Sequence, residues 1–213
     1  MFESIHFESG GRRTTNASRP DVLDRLRAIV GEENVVVDPE RVEPYGADAV
    51  KEKFPPEAVV FPATTAEMAA ILKLANEVVF PVTARGGGVG YTGGAVPVEG
   101  GIVIGTDRMK QIIEINVDDL YITCQPGLTT FEVQQAAAEV GLMFAPDPAS
   151  YKDSYIGGNI AENAGGMRTP KYGVTKHHVL GLEVVTAQGD IIRTGGTRLQ
   201  LLLEKPRASH PPS

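Results

Sequence analysis

The strongest constraint on this chain is the stretch Phe80 to Pro97, FPVTARGGGVGYTGGAVP, where Gly86, Gly87, Gly88, Gly90, Gly93 and Gly94 fall within nine residues. A short apolar strand, Phe80 to Thr83, delivers the chain to Arg85. Glycine has no Cβ, so it reaches positive φ cheaply and lets a ligand approach the main chain closely. Such a turn can aim successive N–H groups one way and form an anion-binding nest. With Arg85 at its mouth, the segment reads as a seat for a pyrophosphate. A lone glycine cluster reads as a flexible hairpin connection. Six glycines directly after a buried-looking strand tilt the reading towards phosphate.

Gly88, Gly90 and Gly93 spell the GxGxxG of dinucleotide-binding proteins. That motif requires a helix to open inside it, because the helix N-terminus holds the pyrophosphate. Here the continuation is Gly94-Ala-Val-Pro97-Val-Glu-Gly100-Gly101, which cannot make the first turns of a stable helix. The Rossmann reading, with NAD as ligand, fails on that context. Walker A fails for want of a following Gly-Lys-Ser/Thr. A nucleotide bound here is gripped by a loop between strands.

At 213 residues the chain can bury a core as one domain or two small lobes. A formal charge of −7 argues against a general nucleic-acid surface, and Arg12, Arg13 and Arg19 read as a solvated tail. The single cysteine, Cys124, excludes an internal disulfide and reads as an inert core thiol. No apolar run approaches membrane-spanning length. Glu3 and Glu8 stand where a secretory signal would need an apolar stretch, so the cytoplasm is the expected compartment.

Residues 1–17 show no periodicity and read as a loose leader. Val22, Leu23, Leu26, Ile29 and Val30 mark a helical face stopped by Gly31. Val35 to Val37 is a short strand, and Pro39 to Pro56 a polar connection. A β-α-β unit follows: strand Ala58 to Phe61, a helix capped by Thr64-Thr-Ala-Glu67 and running to about Asn76, then the strand entering the glycine loop. Strands are expected over Gly101 to Gly105, Met109 to Asn116 and Tyr121 to Gln125. A second helix is capped by Thr129-Thr-Phe-Glu132 and ends at Gly141. After Pro146-Asp147-Pro148 comes a second glycine-rich loop, Ile156 to Met167, whose Asn159 and Asn163 offer donors and acceptors. A strand from Val179 to Thr186 and a turn at Gln188-Gly189 lead into Asp190 to Arg193. The whole reads as two α+β lobes, each with a glycine-rich loop.

Groups for protein-borne chemistry are few. His177 and His178, if on a strand, point to opposite faces, so a shared metal is not expected and a structural role is. No Ser/His/Asp set, HExxH or paired carboxylates stand out. A nucleotide cradle without an acid–base team implies that a cofactor carries the chemistry.

Three ordered segments carry a resemblance: PVTARGGGVGYTGGAVP, PGLTTFEVQQAAAEVGLMFAPDPAS and IGGNIAENAGGMRTPKYGVTKHHVLGLEVVTAQGDIIRTGG. Together, over roughly Lys51 to Gly196, they resemble the FAD-linked oxidases of the vanillyl-alcohol-oxidase, PCMH-type class. Within it they are most similar to the glycolate oxidase FAD-binding subunit and the D-lactate dehydrogenase (cytochrome) group. The resemblance implies an α+β, PCMH-type FAD-binding fold of two lobes with the flavin cleft between them, incomplete at the C-terminus. It implies a leader over 1–20, an N-terminal helix and connection over 21–54, the FAD-binding domain over 55–196 and an unrelated tail over 197–213.

The same resemblance assigns Arg85, Gly86, Gly87, Gly88, Val89, Gly90 and Tyr91 to the loop around the FAD diphosphate. Pro146 and Asp147 run along the cofactor. Gly157, Gly158 and Asn159, with Asn163 and Gly165, form the second cofactor loop, and Val179 opens the strand beside the adenosine end. Covalent members often carry a histidine where Val89 stands, so non-covalent FAD is implied. The implied reaction oxidises a 2-hydroxy acid of the glycolate or D-lactate type to a 2-oxo acid, with electrons leaving to iron–sulfur or other accepting subunits. No residue is named as the base.

Family members continue past Gly196 into further FAD-contacting loops and a substrate domain, whereas this chain reads TRLQLLLEKPRASHPPS. Leu199 to Leu203 is expected as at most one helical turn, ended by Pro206 and Pro211-Pro212. The missing strands would leave an exposed sheet edge. Weak FAD binding with little turnover by this chain alone is the expectation. The other reading is a non-catalytic flavin- or nucleotide-binding subunit completed by a partner.

Overall fold

Val22, Leu26 and Val30 recur at helical spacing, and in the computed structural model, which describes residues 14–50, 52–195 and 199–206, they line the buried face of α1 (Pro20–Val30). Pro20 suits the first turn, where its missing N–H has no partner to lose, and Gly31 ends the helix at φ 91°. The chain then forms β1 (Val35–Val36), α2 (Pro39–Val42), β2 (Ala58–Val60), α3 (Thr65–Val78), β3 (Val82–Arg85) and β4 (Ile102–Gly105). Thr64 Oγ1 caps α3 by accepting from Glu67 N, and Glu67 Oε2 accepts from Ala63 N in return.

These elements belong to the first of two units, which comprises the described residues of Met1–Arg108 and Val185–Asp190. Its sheet runs β1-β2-β4-β3, with β2, β4 and β3 parallel and β1 antiparallel to β2. The expected β-α-β unit is present, with β4 inserted between its two strands. Ala58, Val60, Ile102 and Ile104 point towards α1 and α3. Val59 and Val103 pack on the other face with Val36, Val42, Tyr45 and Phe61. Both faces are covered, which is why these strands read as unbroken apolar runs.

Of the leader expected over 1–20, residues 1–13 lie outside the described residues. From Thr15 the chain is tied down. The buried Glu57 carboxylate accepts from Thr15 N (2.8 Å), Ser18 N (3.2 Å) and Gly101 N (3.1 Å), and Ala17 is fully buried.

The second unit comprises the described residues of Met109–Val184 and Ile191–Ser213. It holds β5 (Ile112–Asn116), β6 (Tyr121–Cys124), α4 (Thr130–Glu139), α5 (Ile156–Ala161), α6 (Thr169–Tyr172), β7 (Val179–Val185), β8 (Ile191–Gly195) and β9 (Gln200–Leu202). The capping box expected at α4 forms in full: Thr129 Oγ1 accepts from Glu132 N, and Glu132 Oε2 accepts from Thr129 N. Two expectations are corrected by local hydrogen bonding. The Ile156 to Met167 segment is not all loop, since its first six residues are the helix α5. His177 and His178 sit in a 3-10 turn, Thr175–His178, rather than on a strand.

The largest correction concerns the end of the chain. Gln200–Leu202 is a strand, not a helical turn, and the sheet order is β5-β6-β9-β7-β8. β9 lies antiparallel between β6 and β7, which leaves β5 and β8 as the edge strands of this sheet. Leu199, Leu201 and Leu203 alternate into the core with Ile122, Cys124, Val133, Ala137 and Phe144. Cys124 N donates to Leu199 O, Leu203 N to Leu120 O, and Met143 and Glu204 exchange two main-chain bonds of 2.8 Å. Pro211 and Pro212 lie outside the described residues. Among the described residues no helix is long and apolar enough to cross a membrane.

Candidate cofactor site

β3 places Arg85 opposite Gly105, and the chain then runs through residues 86–101 without regular structure. No helix opens after Gly93, in keeping with the exclusion of a Rossmann turn. The Arg85 side chain does not extend as a free arm. Its Nη1 donates to Ala47 O (2.7 Å) and Ala95 O (3.4 Å), its Nη2 donates to Pro44 O (3.2 Å), and the guanidinium lies over the Tyr45 ring at 5.6 Å. Arg85 thus ties the start of the glycine loop to its end and to the 44–47 segment. Burial pushes the guanidinium below the usual arginine value, opposed by Tyr45, Asp107 and Asp48.

The loop's glycines divide by cause. Gly88 has φ +67°, and a Cβ there would run into the Arg85 guanidinium. The fold itself demands that glycine. Gly93 has φ +78°, and its N–H donates to Asp48 Oδ2 (2.9 Å). Gly90 is different: its φ lies outside the left-handed range and a Cβ would meet nothing within 4 Å. Its carbonyl accepts from Ala49 N (3.0 Å). The N–H groups of Gly87, Gly88, Val89 and Gly90 have no acceptor among the described residues. Gly86 and Val89 are half-buried and Tyr91 is 78% exposed.

In the second unit, Ile156 N donates to Leu128 O and Gly157 N to Pro126 O, which lays the start of α5 along the Pro126–Thr129 turn. A Cβ on Gly157 would press on Pro126 Cβ at 2.8 Å, whereas one on Gly158 would meet nothing within 4 Å. Gly158 also sits inside a helix, where glycine costs about 1 kcal/mol relative to alanine. The two asparagines expected to offer donors and acceptors each make one side-chain bond within the chain. Asn159 is buried, and its Nδ2 donates to Thr130 Oγ1 (2.5 Å), itself 3.1 Å from Ser154 Oγ. Asn163 adopts φ 52°, and its Oδ1 accepts from Lys176 N (3.0 Å). Pro146 is buried with its carbonyl accepting from Gln134 Nε2, and Asp147 pairs with Arg168 at 3.4 Å. A Cβ on Gly166 would run into the Asp147 carbonyl, while one on Gly165 would sit 3.1 Å from Thr169 Oγ1. Val179 packs on the core of the unit.

What sequence reasoning missed is the 44–50 segment that shapes the first loop. Asp48 is 9% exposed; its Oδ1 accepts from Val50 N (2.8 Å) and its Oδ2 from Gly93 N. The local half of that arrangement, an aspartate bonding two residues on, is ordinary turn chemistry. The half that reaches Gly93 leaves no sequence signal. Elsewhere, His178 is buried with Nε2 3.0 Å from Tyr172 O, and burial pushes the Cys124 thiol up to about 12. Among the described residues no group of three or more His, Cys, Asp or Glu side chains could hold a metal ion.

The family model described as "FAD binding domain" matches residues 56–195. The glycolate oxidase subunit GlcD of Bacillus subtilis is 45% identical over 177 residues, covering 83% of this chain and 38% of that relative. A D-lactate dehydrogenase of Archaeoglobus fulgidus is 45% identical over 142 residues, covering 67% of this chain and 32% of the relative. Among solved structures, p-cresol methylhydroxylase superposes with a TM-score of 0.79 at 23% identity, covering 92% of this chain and 45% of the other, a likeness of fold. The chain therefore spans 38% and 32% of the length of these two curated relatives.

Proposed function

The chain belongs to the FAD-binding-domain family, and from that membership we propose that it is the FAD-holding part of a flavin-dependent oxidoreductase acting on a 2-hydroxy acid. One observation carries the reading. Gly90 and Gly158 are glycines the fold itself does not require, and each keeps its Cβ direction open. Open faces of this kind fit close approach of a flat, extended cofactor to the main chain.

In this reading the N–H groups of Gly87, Gly88, Val89 and Gly90 hold the diphosphate, which balances their unmet donors. Arg85 contributes nearby positive charge while its hydrogen bonds keep the loop in shape. Taken by itself, the second unit offers Gly158 as an open approach to the main chain, with Asn159 and Asn163 fixing the backbone around it. Pro146, Asp147 and Val179 line the cofactor's course. Val89 has no nucleophilic nitrogen, so the flavin is held without a covalent bond. Bound FAD would supply the two-electron acceptor for oxidation of a 2-hydroxy acid to a 2-oxo acid. A further electron-accepting subunit, iron–sulfur or otherwise, fits the naming of the Bacillus subtilis relative as a subunit.

The test is reduction of the flavin. The FAD-loaded chain is mixed with glycolate and with D-lactate, alone and with the remaining C-terminal length of the Bacillus subtilis relative supplied as a second polypeptide. Bleaching of the visible flavin band by one of these acids in the presence of the complement is the expected result. Retained flavin with no bleaching, the complement folded and bound, would replace this reading with that of a non-catalytic flavin-binding subunit.

A further inference from the structure

We propose that Asp48 is the positioning residue that holds the glycine loop in its anion-binding shape, closing a clasp that Arg85 begins. Arg85 binds the carbonyls of Pro44, Ala47 and Ala95, which fixes the loop's entry and its far side. Nothing in that set restrains the stretch between them. Asp48 does so: one carboxylate oxygen accepts from Val50 N, and the other crosses to Gly93 N, 45 residues away in sequence. The neighbouring Ala49 N donates to Gly90 O. Gly90 and Gly93 are thereby pinned from one short segment, and the N–H groups of Gly87 to Gly90 are left facing no acceptor of the described chain.

The inference rests on the reading of this loop as the diphosphate seat, and it makes a counterintuitive demand. A carboxylate beside an anion site opposes the anion, so on charge alone Asp48→Asn should tighten FAD binding. If Asp48 acts by position, the same change weakens it. An amide keeps one acceptor and turns a donor towards one of the two N–H groups, so a bond is lost and two donors face each other. Donors no longer preorganised then have to be ordered by the ligand at the moment of binding.

FAD affinity of the unmodified chain and of Asp48→Asn is measured by equilibrium dialysis, alongside amide hydrogen exchange of both without FAD. The expected outcome is a Kd weaker by roughly tenfold, the range of one hydrogen bond to a charged group. Exchange at Gly93 should quicken while the amides of β2 and β4 keep their protection. Equal or tighter binding by Asp48→Asn overturns the proposal, as does unchanged exchange at Gly93. Should the variant fail to fold, the unmodified chain decides: Gly93 N–H must exchange more slowly than Gly90 N–H, and equal rates overturn the clasp. If the unmodified chain takes up no FAD, the functional reading falls, and the exchange contrast alone judges Asp48.

Discussion

Gly88 and Gly90 belong to one motif and are glycine for opposite reasons. Gly88 is held at positive φ against the Arg85 guanidinium, so its smallness serves the protein's own packing. Gly90 has room and no positive φ, so the chain's own packing does not demand its smallness, which fits the proposed FAD seat. Gly88→Asp should therefore lower stability, by about 1–3 kcal/mol for a strained backbone and more where the Arg85 bonds are broken. Gly90→Asp should change stability by less than about 0.5 kcal/mol, as open surface substitutions do. Paired denaturant titrations check the contrast; equal losses at the two sites would remove the distinction. A row of glycines in a sequence announces a special loop. It does not say which member faces inward, because that depends on where a side chain from the strand before it lies. The same limit hid the roles of Asn159 and Asn163. Their residue type offers amides for a ligand, but no sequence signal announces that Asn159 Nδ2 also donates to Thr130 Oγ1 and Asn163 Oδ1 also accepts from Lys176 N.

At the scale of elements, helices were the most readable. Apolar spacing and caps set α1, α3 and α4 to within a few residues, because the caps act within one turn. β9 was the least readable. LQLLL has no turn signal and too few residues to separate strand from helix by period. What decides it is a gap between β6 and β7 that only the folded chain presents. β9 also lies beyond residue 195, where the match to the family model stops. Leu201 is fully buried at the centre of that sheet. Leu201→Ala should cost about 2–5 kcal/mol, the range for emptying a packed core site, and Leu201→Asp more. The loss should appear as a lower midpoint of unfolding followed at Tyr121 and Tyr155, both in the second unit. A variant as stable as the parent would show that β9 is not part of the core.

At the scale of the whole molecule, two α+β units were expected and two are found, each with its own sheet and apolar core. Their boundaries were beyond reach. The segment Val185–Asp190, which starts at the last residue of β7, belongs to the first unit, where Asn76 Nδ2 donates to Ala187 O across 111 residues. A bond of that separation has no local cause, so no window of sequence contains it. The central proposal is that the glycine segments of this FAD-binding-domain chain hold FAD without a covalent link. The most direct measurement is equilibrium dialysis of the purified chain and of Gly90→Asp against FAD, read from the visible flavin absorbance and repeated after acid precipitation. Saturable binding by the parent, loss of binding in the folded variant and full release of flavin into the acid supernatant are the predicted results. A folded parent that takes up no FAD, or a variant that binds as well as the parent, would contradict the assignment of this loop.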